Sequence, residues 1–451
     1  MLNIIVVVGY LLLQLVTVVN GLQLTSTTDK DSICNVAKYI ANGELNYYEG
    51  LKYGGVVGMF APPNYWWNAG EAFGGLLDYF TFCEPTNDTL KELIFDGMYH
   101  QAGAGYNYIP SNQSMTEGND DQGVWGMAIM QAVERNFTDP PEHSWLSMTQ
   151  AVYNTMNSRW DTSYCDGGLR WQIFTWNSGY DYKNSIANGC LFHLAARLAR
   201  YLGNDTYVET AEKVWDWMYG VGFMVHTQQG FVLYDGADIS TNCTDITKYQ
   251  WSYTYGIMMA GCAYLYDFTN DDIWLERTQE LVDTSNFFFN NSIMTEMQCA
   301  PSNKCNNDQR SFRSLFARCL GLTNVLVNST DITSQIEHWL DVSSVAAAQS
   351  CSGGSDGVTC GFNWSVQGWD GVYGLGEQQS ALETVLSLLT EMPLSAKTGG
   401  VSQSEVNAGL NTQDTINRNV ISISTKDKAG AGVLTAVVLA IILAGGVWMI
   451  L

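Results

Sequence analysis

The chain is short of positive charge, and of charge altogether. Of its 451 residues, 21 are lysine or arginine and 45 are aspartate or glutamate, which gives a formal net charge of -24. A surface that binds nucleic acid must replace the counterions of a polyanion, so this composition excludes nucleic acid as a partner. Charged residues make up only 15% of the chain and aromatic residues 12%. Such a composition suits ligands that present hydroxyl groups and flat apolar faces, as sugars do.

Strand patterns, linkers and metal-ligand spacings are also scarce. The five histidines and the cysteines show no ligand spacing, so we expect neither a metal nor another cofactor. Apolar residues instead recur at helical spacing in segment after segment. One such run comprises Leu191, Leu194, Ala195 and Leu198. We therefore predict a single all-α domain over residues 22–394, followed by a disordered polar stalk over residues 395–428.

Both ends of the chain are apolar. Residues 1–19 carry no charge and small residues follow them, which predicts a signal peptide over residues 1–21. The apolar run from residue 433 to 451 has no lysine or arginine after it, which favours a GPI-attachment signal over residues 429–451. A permanent membrane span is the alternative. We expect a protein that follows the secretory pathway to the outer face of the plasma membrane or the cell wall, held at the membrane by a GPI anchor.

Eleven cysteines in a secreted chain predict disulfide bonds and at least one free thiol. Close spacing pairs Cys299 with Cys305 and Cys351 with Cys360. Two cysteines in apolar helical runs, Cys190 and Cys262, are predicted to be buried thiols. Eight Asn-x-Ser/Thr sequons along the body predict glycosylation outside the cytosol. They are Asn87, Asn112, Asn136, Asn204, Asn242, Asn290, Asn328 and Asn363.

The stretch "NDDQGVWG" from Asn119 sets two aspartates side by side ahead of an apolar helical run. They can be helix caps, because a helix N-terminus favours carboxylates. They can also be a glycosidase pair, because the carboxyl groups of adjacent residues could lie about 5 to 6 Å apart, near the separation of a retaining pair. Mutual repulsion would then leave one of Asp120 and Asp121 ionised and the other protonated. The two interpretations are compatible.

Four polar stretches rich in glycine and aromatic residues each lead into a helix of small residues, as expected of the inner helices of a ring. They are "NDDQGVWGMAIM", "GYDYKNSIANGCLFHLAARLAR", "KYQWSYTYGIMMAGCAYLY" and "WDGVYGLGEQQSALETVL". If the inner helices begin at one rim, the residues at their N-termini converge on one cavity. The residues predicted to share it are Asp120, Asp121, Lys183, Asn184, Trp251, Tyr253, Asp370, Glu377 and Gln378.

Several further residues are candidates for sugar contacts, each with a structural alternative. Tryptophans could stack on sugar faces or belong to the core; they are Trp66, Trp67, Trp125, Trp171, Trp251 and Trp369. In "YDGADI", Asp235 and Asp238 could hold sugar hydroxyls or form a turn. Lys183 could neutralise the cleft or pair with an aspartate.

The longest of these motifs resemble glycoside hydrolase family 76, and in particular its fungal branch of GPI-anchored cell-wall proteins. They are "GGLRWQIFTWNSGYDYKNSIANGCLFHLAARLARYLGN" from Gly167, "NDDQGVWG" from Asn119 and "GWDGVYGLGEQQSALE" from Gly368. The resemblance covers roughly residues 31–392. It implies an (α/α)6 barrel and endo-α-1,6-mannosidase chemistry with retention. It also implies that Asp120 is the nucleophile and Asp121 the general acid/base, an order that rests on the family alone.

Three functions remain open: a retaining α-mannoside hydrolase or transglycosylase, a lectin-like surface protein, and a structural wall glycoprotein. The aspartate pair favours the first, because a binding module has no need to force two carboxylates together. The substrates expected are α-mannosidic glycans, above all the GPI-core glycan, with transfer of GPI-linked wall proteins to cell-wall β-glucan. A purely hydrolytic mannan endo-1,6-α-mannosidase is the alternative.

Overall fold

The computed structural model describes residues 21–410, 429–430, 432–440 and 442. Residues 21–410 form one compact unit, and the described residues from 429 onwards belong to a second. Residues 1–20 of the predicted signal peptide, residues 411–428 of the predicted stalk and much of the predicted tail lie outside the described residues. No helix within the described residues is both long enough and apolar enough to cross a membrane.

Between residues 21 and 410 the chain forms twelve α-helices, which alternate between an outer and an inner ring. The outer helices are α1 (Lys30–Leu45), α3 (Asp88–His100), α5 (Trp145–Ser158), α7 (Thr206–Val221), α9 (Asp272–Ser285) and α11 (Thr330–Ser350). The inner helices are α2 (Trp66–Cys83), α4 (Asn119–Glu134), α6 (Ser185–Leu202), α8 (Ser252–Thr269), α10 (Phe312–Leu326) and α12 (Leu375–Leu386). Each inner helix contacts the next, and α12 closes the ring against α2. The predicted (α/α)6 barrel is confirmed.

Small residues let the inner helices approach each other closely. A side chain at Gly123 on α4 would lie 2.4 Å from Cβ of Cys190 on α6. A side chain at Gly261 on α8 would likewise meet the ring of Phe192 at 2.4 Å. The outer helices instead bury one face, as α9 does with residues spaced three and four apart. Small residues at close helix contacts therefore distinguish the inner helices from the outer ones.

Seven short strands occur between residues 21 and 410, all in connections between helices. They are β1 (Tyr182–Asn184), β2 (Met224–Thr227), β3 (Gly230–Leu233), β4 (Gly236–Asp238), β5 (Ile246–Thr247), β6 (Phe289–Asn290) and β7 (Ile293–Met294). The central strand β4 pairs antiparallel with β1 and β5, and β2–β3 and β6–β7 are separate hairpins. Since β1 runs directly into α6, this small sheet fixes where α6 begins.

Two buried clusters of charge join the inner helices. Arg318 contacts Glu71 at 3.1 Å and also pairs with Glu383. Arg197 bonds Glu134 at 2.6 Å, and the same carboxylate oxygen accepts the Tyr264 hydroxyl at 3.0 Å. The members come from all six inner helices: Glu71 on α2, Glu134 on α4, Arg197 on α6, Tyr264 on α8, Arg318 on α10 and Glu383 on α12. Charge-assisted hydrogen bonds thus tie α2, α10 and α12 together in one cluster and α4, α6 and α8 in the other.

Glu44, at the end of α1, is a buried acid whose carboxylate oxygens have no hydrogen-bond partner among the described residues. Burial, and then repulsion by Glu383, raises its pKa well above the ordinary 4.5. An acid with a raised pKa makes its full contribution to stability below about pH 4.5, where it is protonated in the folded and the unfolded state alike. The contribution is lost as pH rises through the folded-state pKa, because the folded protein must then hold a buried charge. We expect Glu44→Gln to increase the free energy of unfolding, and to do so more at pH 8 than at pH 4.5. Urea denaturation at both pH values measures this, with exposed Glu92→Gln as the control. An equal effect of Glu44→Gln at both pH values would contradict the expectation.

Four disulfide bonds support the connections within residues 21–410: Cys34–Cys83, Cys165–Cys243, Cys299–Cys305 and Cys351–Cys360. The two pairs predicted from close spacing are among them. The free cysteines in this part of the chain are Cys190, Cys262 and Cys319, all buried, which confirms the prediction for the first two. The asparagines of all eight sequons are exposed.

Residues 395–410 lie against the barrel instead of beginning a disordered stalk. The side-chain amide of Asn154 on α5 donates to the carbonyls of Val406 and Ala408, both at 2.9 Å. The Ser402 hydroxyl donates to Asp139 at 2.9 Å. The prediction of disorder is therefore wrong for this part of the segment. Its polar composition resembles that of a linker, but partners outside the segment satisfy its backbone groups.

Candidate active site

A cleft of about 380 Å³ lies where the inner helices begin. Helices α2, α4, α6, α8 and α10 each contribute residues from their N-terminal ends. The lining comprises Tyr65, Trp66, Trp67, Met115, Thr116, Glu117, Asp120, Asp121, Val124, Trp171, Gln172, Asn177, Ser178, Ile186, Tyr253, Asp308 and Phe312. The helix N-termini therefore do meet at one rim.

Asp120 and Asp121 line this cleft from the first turn of α4. Asp121 Oδ2 accepts the backbone N–H of Gly118, the N-cap residue, at 2.5 Å. Asp120 Oδ1 accepts the backbone N–H of Asp121 at 3.1 Å. The backbone N–H of Asn119 donates to the Trp171 carbonyl at 2.7 Å, which fixes the start of α4 against the opposite wall of the cleft. The two aspartates thus lie in the capped first turn of the helix and also line the cleft. Their hydrogen bonds to the backbone hold the carboxyl groups in place.

Desolvation and repulsion act on the two aspartates unequally. Burial raises the pKa of Asp120 to about 7, against the opposing effect of backbone hydrogen bonds. Burial first, and then the charge of Asp120, raises the pKa of Asp121 well above its ordinary value. Because the two carboxyl groups repel each other when both are charged, the pair loses its two protons in separate steps. An ionised carboxylate beside a protonated one is the state in which a retaining glycosidase pair starts its reaction.

Aromatic rings form the walls of the cleft. The Trp171 ring lies against Gly179, where a Cβ would come within 2.4 Å of the indole and where φ is +93°, and the tryptophan is 37% exposed. Tyr253 stacks on Phe312 with ring centroids 3.9 Å apart and planes 4° apart. Flat apolar faces held beside a few polar groups suit the alternating apolar and hydroxyl faces of a sugar ring.

The structure brings six of the residues proposed from the sequence to the cleft: Trp66, Trp67, Asp120, Asp121, Trp171 and Tyr253. Trp125 is fully buried beneath them. Its indole N–H donates to the Trp66 carbonyl at 3.2 Å, and its ring packs between Trp66 and Tyr108. This tryptophan supports the wall of the cleft from the core.

Lys183 and Asn184 of β1 do not line the cleft. Lys183 is fully buried and donates to the carbonyls of Asp161, Tyr164 and Gly167 at 2.6–2.8 Å. Its ammonium also lies 3.5 Å from the Asp161 carboxylate, so it pairs with an aspartate, as the structural alternative proposed. Asn184 caps α6 by accepting the Ala187 N–H at 3.2 Å.

The two aspartates of "YDGADI" have different environments. Asp235 accepts the Tyr182 hydroxyl at 2.7 Å and the Trp251 indole N–H at 2.9 Å. Burial raises the pKa of Asp235. Asp238 is exposed and accepts the Ser240 N–H at 2.8 Å, as its turn-forming alternative proposed. Asp235 and Trp251 thus form a hydrogen-bonded layer next to the cleft.

The residues proposed near the start of α12 serve local structure. Asp370 accepts backbone N–H groups from three residues of its own loop region. Glu377 pairs with Arg310 at 2.8 Å. Gln378 bonds the Cys360 N–H at 2.7 Å and the Ile40 carbonyl at 3.1 Å. Trp369 lies at the surface, outside the cleft.

Sequence reasoning missed Asp308 and Glu117. Asp308 accepts the Trp67 indole N–H at 3.3 Å, and burial raises its pKa. Both carboxylate oxygens of Glu117 lack a hydrogen-bond partner within the described residues, and burial followed by the charge of Asp121 raises its pKa. The polar stretch ahead of α10 could have revealed Asp308, because it precedes a helix of small residues as the other four stretches do. No group of three or more potential metal ligands occurs in the described residues.

Comparisons with known proteins identify the family to which the chain belongs. The profile of glycosyl hydrolase family 76 matches residues 32–398. The mannan endo-1,6-alpha-mannosidase DFG5 of Candida albicans is 67% identical over 425 residues, which cover 94% of each chain. The protein of the same name from Saccharomyces cerevisiae is 52% identical, covering 94% of this chain and 93% of that protein. The crystal structure of Dfg5 from Chaetomium thermophilum in complex with glucosamine has a TM-score of 0.79 at 34% identity, covering 88% of this chain and 100% of that chain.

Proposed function

Because the chain belongs to glycosyl hydrolase family 76, we propose that it is an endo-acting α-1,6-mannosidase that works with retention. The observation that carries the proposal is the adjacent pair Asp120 and Asp121, which line an aromatic cleft and whose pKa values are both raised by burial. Relatives named mannan endo-1,6-alpha-mannosidase support α-1,6-linked mannose as the substrate class.

In the proposed reaction, Asp120 attacks the anomeric carbon while the bond to the leaving oxygen breaks. The leaving oxygen takes the proton from Asp121, and an ester forms between the sugar and Asp120. Asp121, now ionised, removes a proton from the incoming hydroxyl, which attacks the anomeric carbon and releases Asp120. Because Asp121 Oδ2 already accepts the backbone N–H of Gly118, Oδ1 is the oxygen that carries the exchanged proton. Two inversions at one carbon give net retention.

We propose further that a sugar hydroxyl, more often than water, intercepts the intermediate. The donor would be the mannose core of a GPI glycan and the acceptor cell-wall β-glucan, so that GPI-linked wall proteins pass to the wall. Aromatic walls can orient an acceptor and raise its effective concentration far above that of free solution. A GPI anchor at the outer face of the plasma membrane would place the cleft among donors and acceptors. Four disulfide bonds and eight exposed sequon asparagines agree with an extracellular location.

The transfer proposal is tested by incubating the barrel domain with a GPI-core mannoside and increasing concentrations of β-glucan oligosaccharide. We expect transferred product to rise and free sugar to fall as the acceptor concentration increases, because the acceptor and water compete for the same glycosyl-enzyme. Mass spectrometry of the products measures the partition, and Asp120→Asn serves as the inactive control. Free sugar alone at every acceptor concentration would leave a purely hydrolytic mannan endo-1,6-α-mannosidase. Full function in Asp120→Asn would instead indicate a glycan-binding protein.

A further inference from the structure

Two aromatic side chains in the loop before α12 are exposed although neither lines the cleft. Trp369 is 37% exposed and Tyr373 is 62% exposed. Their ring centroids lie 6.3 Å apart, with the planes at 47°. Large aromatic rings left side by side in solvent are typical of binding surfaces. We call this pair the outer platform.

The indole ring of Trp369 packs against a glycine, as the ring of Trp171 does in the cleft. Its indole lies against Gly353, where a Cβ would come within 2.2 Å of the ring, just as Trp171 lies against Gly179. The Trp369 indole N–H donates to the Val372 carbonyl at 2.8 Å, which fixes the orientation of the ring. A glycine behind an indole lets one face of the ring rest on the backbone, and 37% of the Trp369 surface stays exposed.

The support of the outer platform is rigid. Asp370, next to Trp369, accepts the N–H groups of Phe362, Asn363 and Val372 at 2.7–3.2 Å. The Cys351–Cys360 disulfide closes the loop that carries Gly353, and Gly353 exchanges two backbone hydrogen bonds with Thr359. A ring that is already fixed loses little conformational freedom when a ligand stacks on it.

Asn64 and Asn307 connect the region of the cleft with the region of the outer platform. Asn64, beside the cleft residue Tyr65, accepts the Asn307 amide at 3.0 Å, and Asn307 itself adjoins Asp308 of the cleft. A Cβ at Gly374, the neighbour of Tyr373, would lie 4.0 Å from Asn307 Oδ1. A narrow bridge of amide groups thus joins the cleft to the platform. Amides and aromatic faces are the groups that bind neutral sugars.

We propose that the outer platform binds pyranose units of a glycan remote from the bond that is cleaved at the aspartate pair. The inference rests on the proposed α-mannosidase function and adds a second point of attachment for long glycans. Stacking at Trp369 and Tyr373 would hold the chain along the rim while other units occupy the cleft. Long substrates would therefore bind more tightly than short ones, and the gain would depend on these two rings.

The test measures KM and kcat on α-1,6-mannooligosaccharides of increasing length for wild type, Trp369→Ala and Tyr373→Ala. In Trp369→Ala and in Tyr373→Ala we expect the ratio of the KM for the longest substrate to the KM for the disaccharide to rise about 10-fold above the wild-type ratio. This is the loss of affinity expected when one aromatic contact is removed. The effect should fall on KM more than on kcat. Trp369→Phe keeps an aromatic face and should recover part of the loss. Tyr219→Ala, which removes a 53% exposed tyrosine from the outer helix α7, is the matched control.

Binding to the inactive Asp120→Asn protein, with and without Trp369→Ala, separates the outer platform from catalysis. A length-dependent gain in affinity that disappears with Trp369→Ala supports the inference. Equal KM ratios in wild type, Trp369→Ala and Tyr373→Ala would overturn it while leaving the proposed activity intact. If wild type neither binds nor cleaves any α-1,6-mannooligosaccharide, the proposed function itself is wrong. Thermal unfolding of each variant identifies any that fail to fold.

Discussion

We expect Asp120→Ala to abolish the covalent glycosyl-enzyme and Asp121→Ala to keep measurable turnover on mannosides with an activated leaving group. A good leaving group needs little protonation, but no substrate can dispense with the nucleophile. On a natural glycan we expect Asp121→Ala to lower kcat/KM by about 10²- to 10⁴-fold, the usual contribution of general acid catalysis. Mass spectrometry of the trapped intermediate and steady-state kinetics on both substrate types measure the two effects.

The third aspartate of the cleft, Asp308, provides the comparison. It lies in the same cleft and burial raises its pKa too, but its hydrogen bond to Trp67 marks it as part of the wall. Asp308→Ala should therefore still accumulate the intermediate. Loss of the intermediate in Asp308→Ala as well would mean that charge in the cleft, not a particular nucleophile, controls the step. Equal losses on both substrate types in Asp121→Ala would count against its role as the acid.

Arg318→Met lowers the free energy of unfolding by about 3–5 kcal/mol, because Glu71 and Glu383 are then left buried without their cation. Burial raises the pKa of Glu383 to about 8 even with the arginine present. Without Arg318 both acids hold their protons more strongly, and the loss of stability shrinks at low pH, where protonation removes the buried charge. Urea denaturation of wild type and Arg318→Met at pH 5 and pH 8 measures the loss.

The neutral triple variant Arg318→Met, Glu71→Gln and Glu383→Gln tests the cause of that loss. Replacing a whole buried ionic cluster avoids the unpaired charges that a single substitution leaves behind. The triple variant should therefore recover much of the stability lost in Arg318→Met, above all at pH 8. No recovery would indicate that the cluster stabilises the ring by its shape rather than by its charge.

The helical ring was predictable because its signals are local. Apolar spacing marked the helices, small residues marked the inner ones, and convergence of the inner helix N-termini placed Asp120, Asp121 and Tyr253 at one cleft. Which way a side chain turns at a helix start depends on partners far along the chain. Gln378 bonds the Ile40 carbonyl and Glu377 pairs with Arg310, and no periodicity encodes such choices.

The missed residues have a similar explanation. The stretch before α10 carries Asp308 but lacks the glycine and aromatic residues that the other four stretches share. Lys183 lies in a three-residue strand, too short for alternation to show that its side chain is buried. Both cases concern connections between helices, where tertiary hydrogen bonds decide the conformation and local sequence patterns carry little information.

The cluster around Arg318 also bears on the order in which the chain folds. Its carboxylates come from α2 and α12, so the arginine acquires both only after nearly the whole barrel has been synthesised. In a nascent chain that ends before residue 375, Arg318 can pair with Glu71 but not with Glu383. The face of α2 that contacts α12 is also uncovered in such a chain. Contacts this distant in sequence make folding slow and leave incomplete chains prone to aggregate. The ring should therefore form late and as one cooperative event.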